Sequence, residues 1–297
     1  MTLLVDLAEP FQFDFFVKAL IAATMVGALT GLIGVFVVLR RMSYIGHGMS
    51  HSVFGGAVVG YVAGFNFYLA AGVWGFLSAL LINQTTRRRQ IGADAAIGII
   101  TTASFAFGVA LISRAGSITR NFDAALFGNI LGVTSGDLWV IAGVLAVTVL
   151  LVFFLYKQLL FLTFDIDVAP IYGVRAGVVD SLFALVLAAT IIASIRIMGV
   201  TLIAASLVIP PVIARLLTDR FAVMLVLSTA IGAAAGFAGL FLSYYLDIAS
   251  GASIVLFSAG LFAVTIAVVS IKDSIQTGRP RLATKDIPSA EGGAVFD

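Results

Sequence analysis

Apolar runs of membrane-crossing length alternate with short polar clusters along almost the whole chain. A helix spans a bilayer with roughly 20 predominantly apolar residues. Nine runs approach that length, at 15–39, 44–64, 67–85, 92–113, 138–157, 179–198, 200–218, 221–246 and 251–271. If some are half-helices, the number of full spans is eight. No stretch alternates with period two, which argues against a membrane β-barrel. The pattern therefore predicts an all-α polytopic membrane protein with 8–9 transmembrane helices.

Composition agrees. Of 297 residues, 61% are apolar and 11% charged, and such a chain must bury its apolar surface in lipid. There is no cysteine, which removes disulfides and thiolate metal sites. A net charge of +2 gives no reason to invoke nucleic acid. The first residues carry Asp6, Glu9 and Asp14 without a basic region, so no signal peptide is expected.

The basic residues set the orientation. With the N-terminus outside, only Lys18, Arg114, Arg120 and Arg196 of the 17 basic residues fall outside or near an outer end. The others fall on the cytoplasmic side, including the cluster Arg87, Arg88 and Arg89. Residues 1–272 read as one transmembrane domain, and the polar, Pro- and Gly-containing residues 273–297 as a disordered cytoplasmic tail. Segment 114–137 reads as external, lying on the surface or dipping back in. Segment 158–178 reads as a cytoplasmic loop in which Asp165 and Asp167 cap a short helix through Ala169–Tyr172, ended by Gly173.

Candidate chemistry concentrates in RRMSYIGHGMSHSVFGG, residues 40–56, which holds both histidines of the chain. His47 and His51 are four apart, so a helix puts them on one face, one turn apart. Ionisable groups at membrane depth usually line a cavity or pathway. The pair can therefore share a metal or relay a proton, where a lone histidine would more simply bond a neighbouring helix. Small residues around it, including Gly46, Gly48, Ser50, Gly55 and Gly56, allow close helix packing, and Gly46 and Gly48 could break the helix. Asp94, after the arginine cluster, caps or neutralises a helix start, or lines a pathway. Asp247 sits at an outer end, either capping a helix or meeting an incoming cation. Arg196 has no obvious partner in sequence. Pro210 and Pro211 are expected to kink or break their helix. No Walker motif, H-E-x-x-H or G-x-S-x-G occurs, so neither ATP binding of that kind nor hydrolysis is expected of this chain.

Six segments in order carry a resemblance: LRRMSYIGHGMSHSVFGG, ADAAIGI, ALFGNILGV, LTFDIDVAPIYGV, GVTLIAASLVIPPVIARLL and DIASGASIVL. The sequence resembles the permease subunits of ABC importers for manganese, zinc and iron, from Phe15 to the start of the tail. The resemblance implies a type II importer permease fold in the prokaryotic cell membrane, with two copies forming the pathway. It implies a separate cytoplasmic ATP-binding cassette subunit docked on a coupling helix around Phe164–Gly173, so that Asp165, Asp167, Tyr172 and Gly173 are coupling residues. It also implies an extracytoplasmic metal-binding protein, and no permanently bound cofactor. The family's gate motif reads Gly-Asp-x-x-Ser-His. Gly46, Ser50 and His51 match it, and His47 stands at the Asp position. Replacing a hard carboxylate by an imidazole shifts preference from manganese towards zinc, keeping the two level with iron behind. A proton-coupled secondary transporter using His47 and His51 as a relay, and a membrane scaffold with the histidines in packing roles, are the competing classes.

Overall fold

The computed structural model describes residues 8–87, 93–115, 128, 132–165 and 169–277. After a short 3-10 turn at Glu9–Gln12, the chain forms α1 (Asp14–Leu39), α2 (Ser43–Ala63), α3 (Phe67–Arg87) and α4 (Ala93–Ala115). Then follow α5 (Ser135–Phe154), α6 (Tyr156–Phe164), a 3-10 turn at Ala169–Tyr172, α7 (Ala176–Leu217), α8 (Phe221–Leu246) and α9 (Ser250–Thr277). Six of the described helices are by themselves long and apolar enough to cross a membrane. No strand occurs among the described residues.

The 42 residues of α7 are not one rod. Gly199 leaves the helical region (φ 71, ψ 162), a conformation open chiefly to glycine. Before it, Asp180 pairs with Arg40 and Phe183 meets Phe36, both at the end of α1. After it, the Leu207 carbonyl lies against Gly34, again near that end. Both halves touch the same part of α1, so they run antiparallel and Gly199 is their apex. This yields the two separate runs that the sequence predicts at 179–198 and 200–218. The break expected at Pro210 and Pro211 does not occur, because Gly199 alone departs from helical geometry. Pro211 cannot donate to the Leu207 carbonyl, and that oxygen instead faces the Cα of Gly34 (an added Cβ would lie 2.1 Å from it). Gly46 and Gly48 do not break α2 either. They are helical and bring it against Leu207 on α7 and Ile97 on α4.

The core sits on α1 and α7, whose most apolar windows are 67% and 61% buried, whereas α9 shows only 17%. Hydrocarbon offers no hydrophobic drive between helices, so close van der Waals approach must hold them. The α1–α8 pair shows how. Gly27 faces Gly232, Gly31 faces Ser228 and Gly236 faces Ala23, so two small-x-x-x-small faces are in direct backbone contact. A Cβ on Gly27 would lie 2.0 Å from the Gly232 carbonyl oxygen, and Ser228 Oγ donates to the Gly31 carbonyl at 2.6 Å. Phe16, Phe241 and Tyr244 interlock the outer ends of α1 and α8, and Phe36 and Phe221 their inner ends.

Two further departures from expectation lie at the end of the bundle that carries Arg40. The run predicted at 138–157 ends at Phe154, and α6 follows after a turn at Leu155 where a loop is expected. The last helix continues to Thr277, and the remainder of the tail lies outside the described residues. Most of segment 114–137 also lies outside them. Its described parts are Gly128, packed on the Ile197 carbonyl at the α7 apex, and the α5 start, where Thr134 and Asp137 form a capping box.

Candidate functional site

Helix α2 carries both histidines between α3, α4 and α7. Its small residues decide how near those neighbours come. A Cβ on Gly55 would meet the Ser104 carbonyl oxygen on α4 at 2.3 Å, and Gly56 abuts Trp74 on α3. Ser52 Oγ donates to Ser78 Oγ at 2.5 Å, and Ser50 Oγ turns back to the His47 carbonyl at 2.7 Å. The serines thus satisfy themselves locally, leaving the imidazoles to one another.

Nε2 of His47 and Nε2 of His51 lie 3.2 Å apart, with rings at 85° and centroids 4.6 Å apart. The edge of Phe105 closes on His51 (4.7 Å), and both imidazoles are half-buried. His51 Nδ1 is buried without a hydrogen-bond partner. An unpaired buried acceptor is tolerated better than an unpaired donor, so the network assigns the proton to His51 Nε2, donating to His47 Nε2. Both imidazoles stay neutral and present an Nε2 lone pair only if that proton moves to His51 Nδ1, and the two Nε2 atoms could then ligate one cation. A cation ~2.1 Å from each nitrogen would subtend about 100° between them. That angle lies between octahedral and tetrahedral values, so either coordination geometry is open to the pair. No cluster of three or more His, Asp or Glu residues occurs among the described residues. The remaining ligands would be water, backbone carbonyls or groups from another chain.

The other expected residues lie elsewhere. Asp94 falls in the first turn of α4, and its side chain is outside the described set. Asp247 is the exposed C-cap of α8, in the left-handed region at φ 52. It belongs to an outer end of a helix that barely touches α2, so the structure does not bring it to the histidines. Asp165 caps the C-terminus of α6 and is exposed, while Asp167 lies outside the described residues. Between them and α7, Ala169–Tyr172 forms a single 3-10 turn. Gly173 closes it at φ 71, its N–H bonding Pro170 O and that of Val174 bonding Ala169 O. Tyr172 stacks on Phe161 of α6 (4.8 Å, 18°) yet remains 67% exposed beside Ile171 and Phe164. These aromatic and aliphatic groups form an apolar knob at the basic end of the bundle.

Two polar clusters escaped the sequence reading. At the outer end, Asp137 is 2% exposed and accepts from Arg196 (2.9 Å), Tyr68 and Thr134, tying the starts of α5 and α3 to the end of the first half of α7. The unassigned Arg196 was the signal for it. At the inner end, Arg40 is 8% exposed at its side chain, bonds Asp180 (3.0 Å) and Thr163 (3.2 Å), and lies over the Phe183 ring. Burial holds the Arg40 pKa below its usual value, against the opposing Asp180 charge and hydrogen bond.

The model of the ABC 3 transport family matches residues 12–269. The chain is 37% identical over 252 residues to the manganese transport system membrane protein MntC of Halalkalibacterium halodurans, covering 85% of this chain and 86% of that one. It is 36% identical over 254 residues to the manganese import system permease protein ScaB of Streptococcus gordonii, covering 86% and 91%. Among solved structures it resembles PsaBC from Streptococcus pneumoniae in complex with Fab, with TM-score 0.79, 35% identity and coverage of 88% and 95%.

Proposed function

The chain belongs to the ABC-3 transport family, and from that membership we propose that it imports a divalent metal, its transport driven by ATP hydrolysis on a separate subunit. It is a multi-pass permease protein of the prokaryotic cell membrane. The observation that carries the metal reading is the 3.2 Å approach of the two histidine Nε2 atoms inside a helix bundle. A transport site must hold its ion well enough to admit it and weakly enough to release it. Two neutral imidazoles with transient partners meet that need, whereas four anionic ligands would trap the metal.

Manganese is the first substrate, because both permeases named above are described as manganese systems. Zinc is the second, because an all-nitrogen protein donor set favours it over manganese. The apolar knob formed by Phe164, Ile171 and Tyr172 is the docking point for the ATP-binding cassette subunit. Residues 1–272 form the permease domain, two copies make the pathway, and a metal-binding protein delivers the ion to the outer face. Asp94 and Asp247 serve as helix-end groups rather than as metal ligands.

The test is metal uptake into vesicles containing the chain with its ATPase, manganese against zinc. Uptake that needs ATP and is lost in the His47→Ala, His51→Ala double variant supports the reading. Uptake at the parent rate in that variant overturns it.

A further inference from the structure

We infer that Arg40 is a positioning residue that transmits movement of the cytoplasmic loop to the helix bearing His47 and His51. This rests on the reading that Phe164–Gly173 docks the ATPase. Three elements meet at Arg40. Its Nε donates to Thr163 in the last turn of α6, immediately before the exposed knob. One guanidinium nitrogen donates to Asp180, in the first turns of α7 immediately after it, and the guanidinium plane covers Phe183 one turn further on. Its backbone ends α1, and only Arg41 and Met42 separate it from Ser43, the first residue of α2. Both sides of the coupling segment are thus tied to one side chain, and that side chain stands at the base of the histidine helix.

The connection is built to pass a displacement on. A guanidinium holds a rigid planar fork, so it fixes the relative position of the two groups it bridges, which a single ammonium cannot do. The adjoining turn is strained. Arg41 adopts φ 57, a left-handed conformation that glycine usually fills at a helix C-terminus. Strain of this kind persists only where the surroundings hold it, and it gathers at switch regions. Space for movement is present as well. A cavity of about 740 Å³ opens beside the fork, lined by Leu39, Arg40, Met42, Thr163 and Asp180 among others. The first half of α2 lies directly above, with His47 one turn beyond Ser43.

The experiment uses the complete complex in vesicles and measures ATP hydrolysed, metal imported and ATPase retained on the permease. Arg40→Gln is expected to keep the ATPase bound while the metal moved per ATP falls about fivefold or more, the lower bound of ordinary coupling between sites. Arg40→Lys, which keeps the charge without the fork, is expected to restore only part of that ratio. Thr163→Ala removes only the α6 contact and leaves the ion pair, so it provides the readout if Arg40→Gln does not fold. It is expected to lower the same ratio. A merely structural role would reduce hydrolysis and transport together, leaving the ratio unchanged, and that result overturns the proposal. Loss of ATPase binding in a folded Arg40→Gln protein overturns it too, since Arg40 would then be a docking residue. Tyr172→Asp tests the docking reading separately. If that variant retains full ATPase binding and coupling, the docking reading fails, whatever Arg40 does.

Discussion

His47 and His51 share one hydrogen bond through their Nε2 atoms, 3.2 Å apart, and Phe105 closes the side of the pair. Neither ring reaches a carboxylate among the described contacts, and for both Nε2 atoms to ligate one cation the shared proton must move to His51 Nδ1.

Replacing His51 by Ala is therefore expected to abolish metal uptake, and replacing His47 by Asp to preserve it while moving selectivity towards manganese, as a hard oxygen returns. Competition between manganese and zinc at equal expression checks both. Unchanged selectivity in the His47→Asp protein would separate the pair from the choice of metal.

Lower external pH is expected to reduce uptake. Protonation turns each imidazole into an imidazolium, which has no lone pair for a metal, so the sign is loss on the acid side and gain towards neutrality. Initial rates across a pH series test this, with His47→Asp expected to flatten the dependence by removing one of the two imidazoles.

A larger side chain between α1 and α8 should be severe. Gly27→Leu would force a Cβ to within 2.0 Å of the Gly232 carbonyl oxygen, and backbone on the facing helix cannot swing aside. Overpacking usually costs about 1–3 kcal/mol, and this contact belongs at or above the top of that range. Thermal unfolding in detergent should show a marked fall, while Gly143→Leu, at a position with open space for a side chain, should show little.

The outer cluster predicts an asymmetry. Asp137→Ala leaves Tyr68, Thr134 and Arg196 without their common acceptor, whereas Arg196→Gln leaves Asp137 still bonded by Tyr68 and Thr134. Breaking a buried pair from its buried side costs about 3–5 kcal/mol. Unfolding midpoints should therefore fall further for Asp137→Ala than for Arg196→Gln, and the reverse order would show that the arginine carries the stability.

Much of this molecule is local and so legible in its sequence. Run length locates most of the helices, because a bilayer imposes a similar span on each and every backbone group must bond within it, although only six of the described helices are long and apolar enough to cross by themselves. The i,i+4 spacing of His47 and His51 fixes their shared face without reference to any other helix. The left-handed turn at Gly173 is likewise written locally. Tertiary structure decided the rest. Arg40 meets Asp180 across 140 residues and Arg196 meets Asp137 across 59, pairings that no local pattern encodes. The glycine spacing on α1 and α8 is visible in the sequence, yet only packing reveals that those two faces choose each other. The prolines mislead for the same reason. A freed carbonyl breaks a helix unless a neighbour accommodates it, and Gly34 does so for Leu207, while the true apex falls at Gly199, where the backbone leaves the helical region.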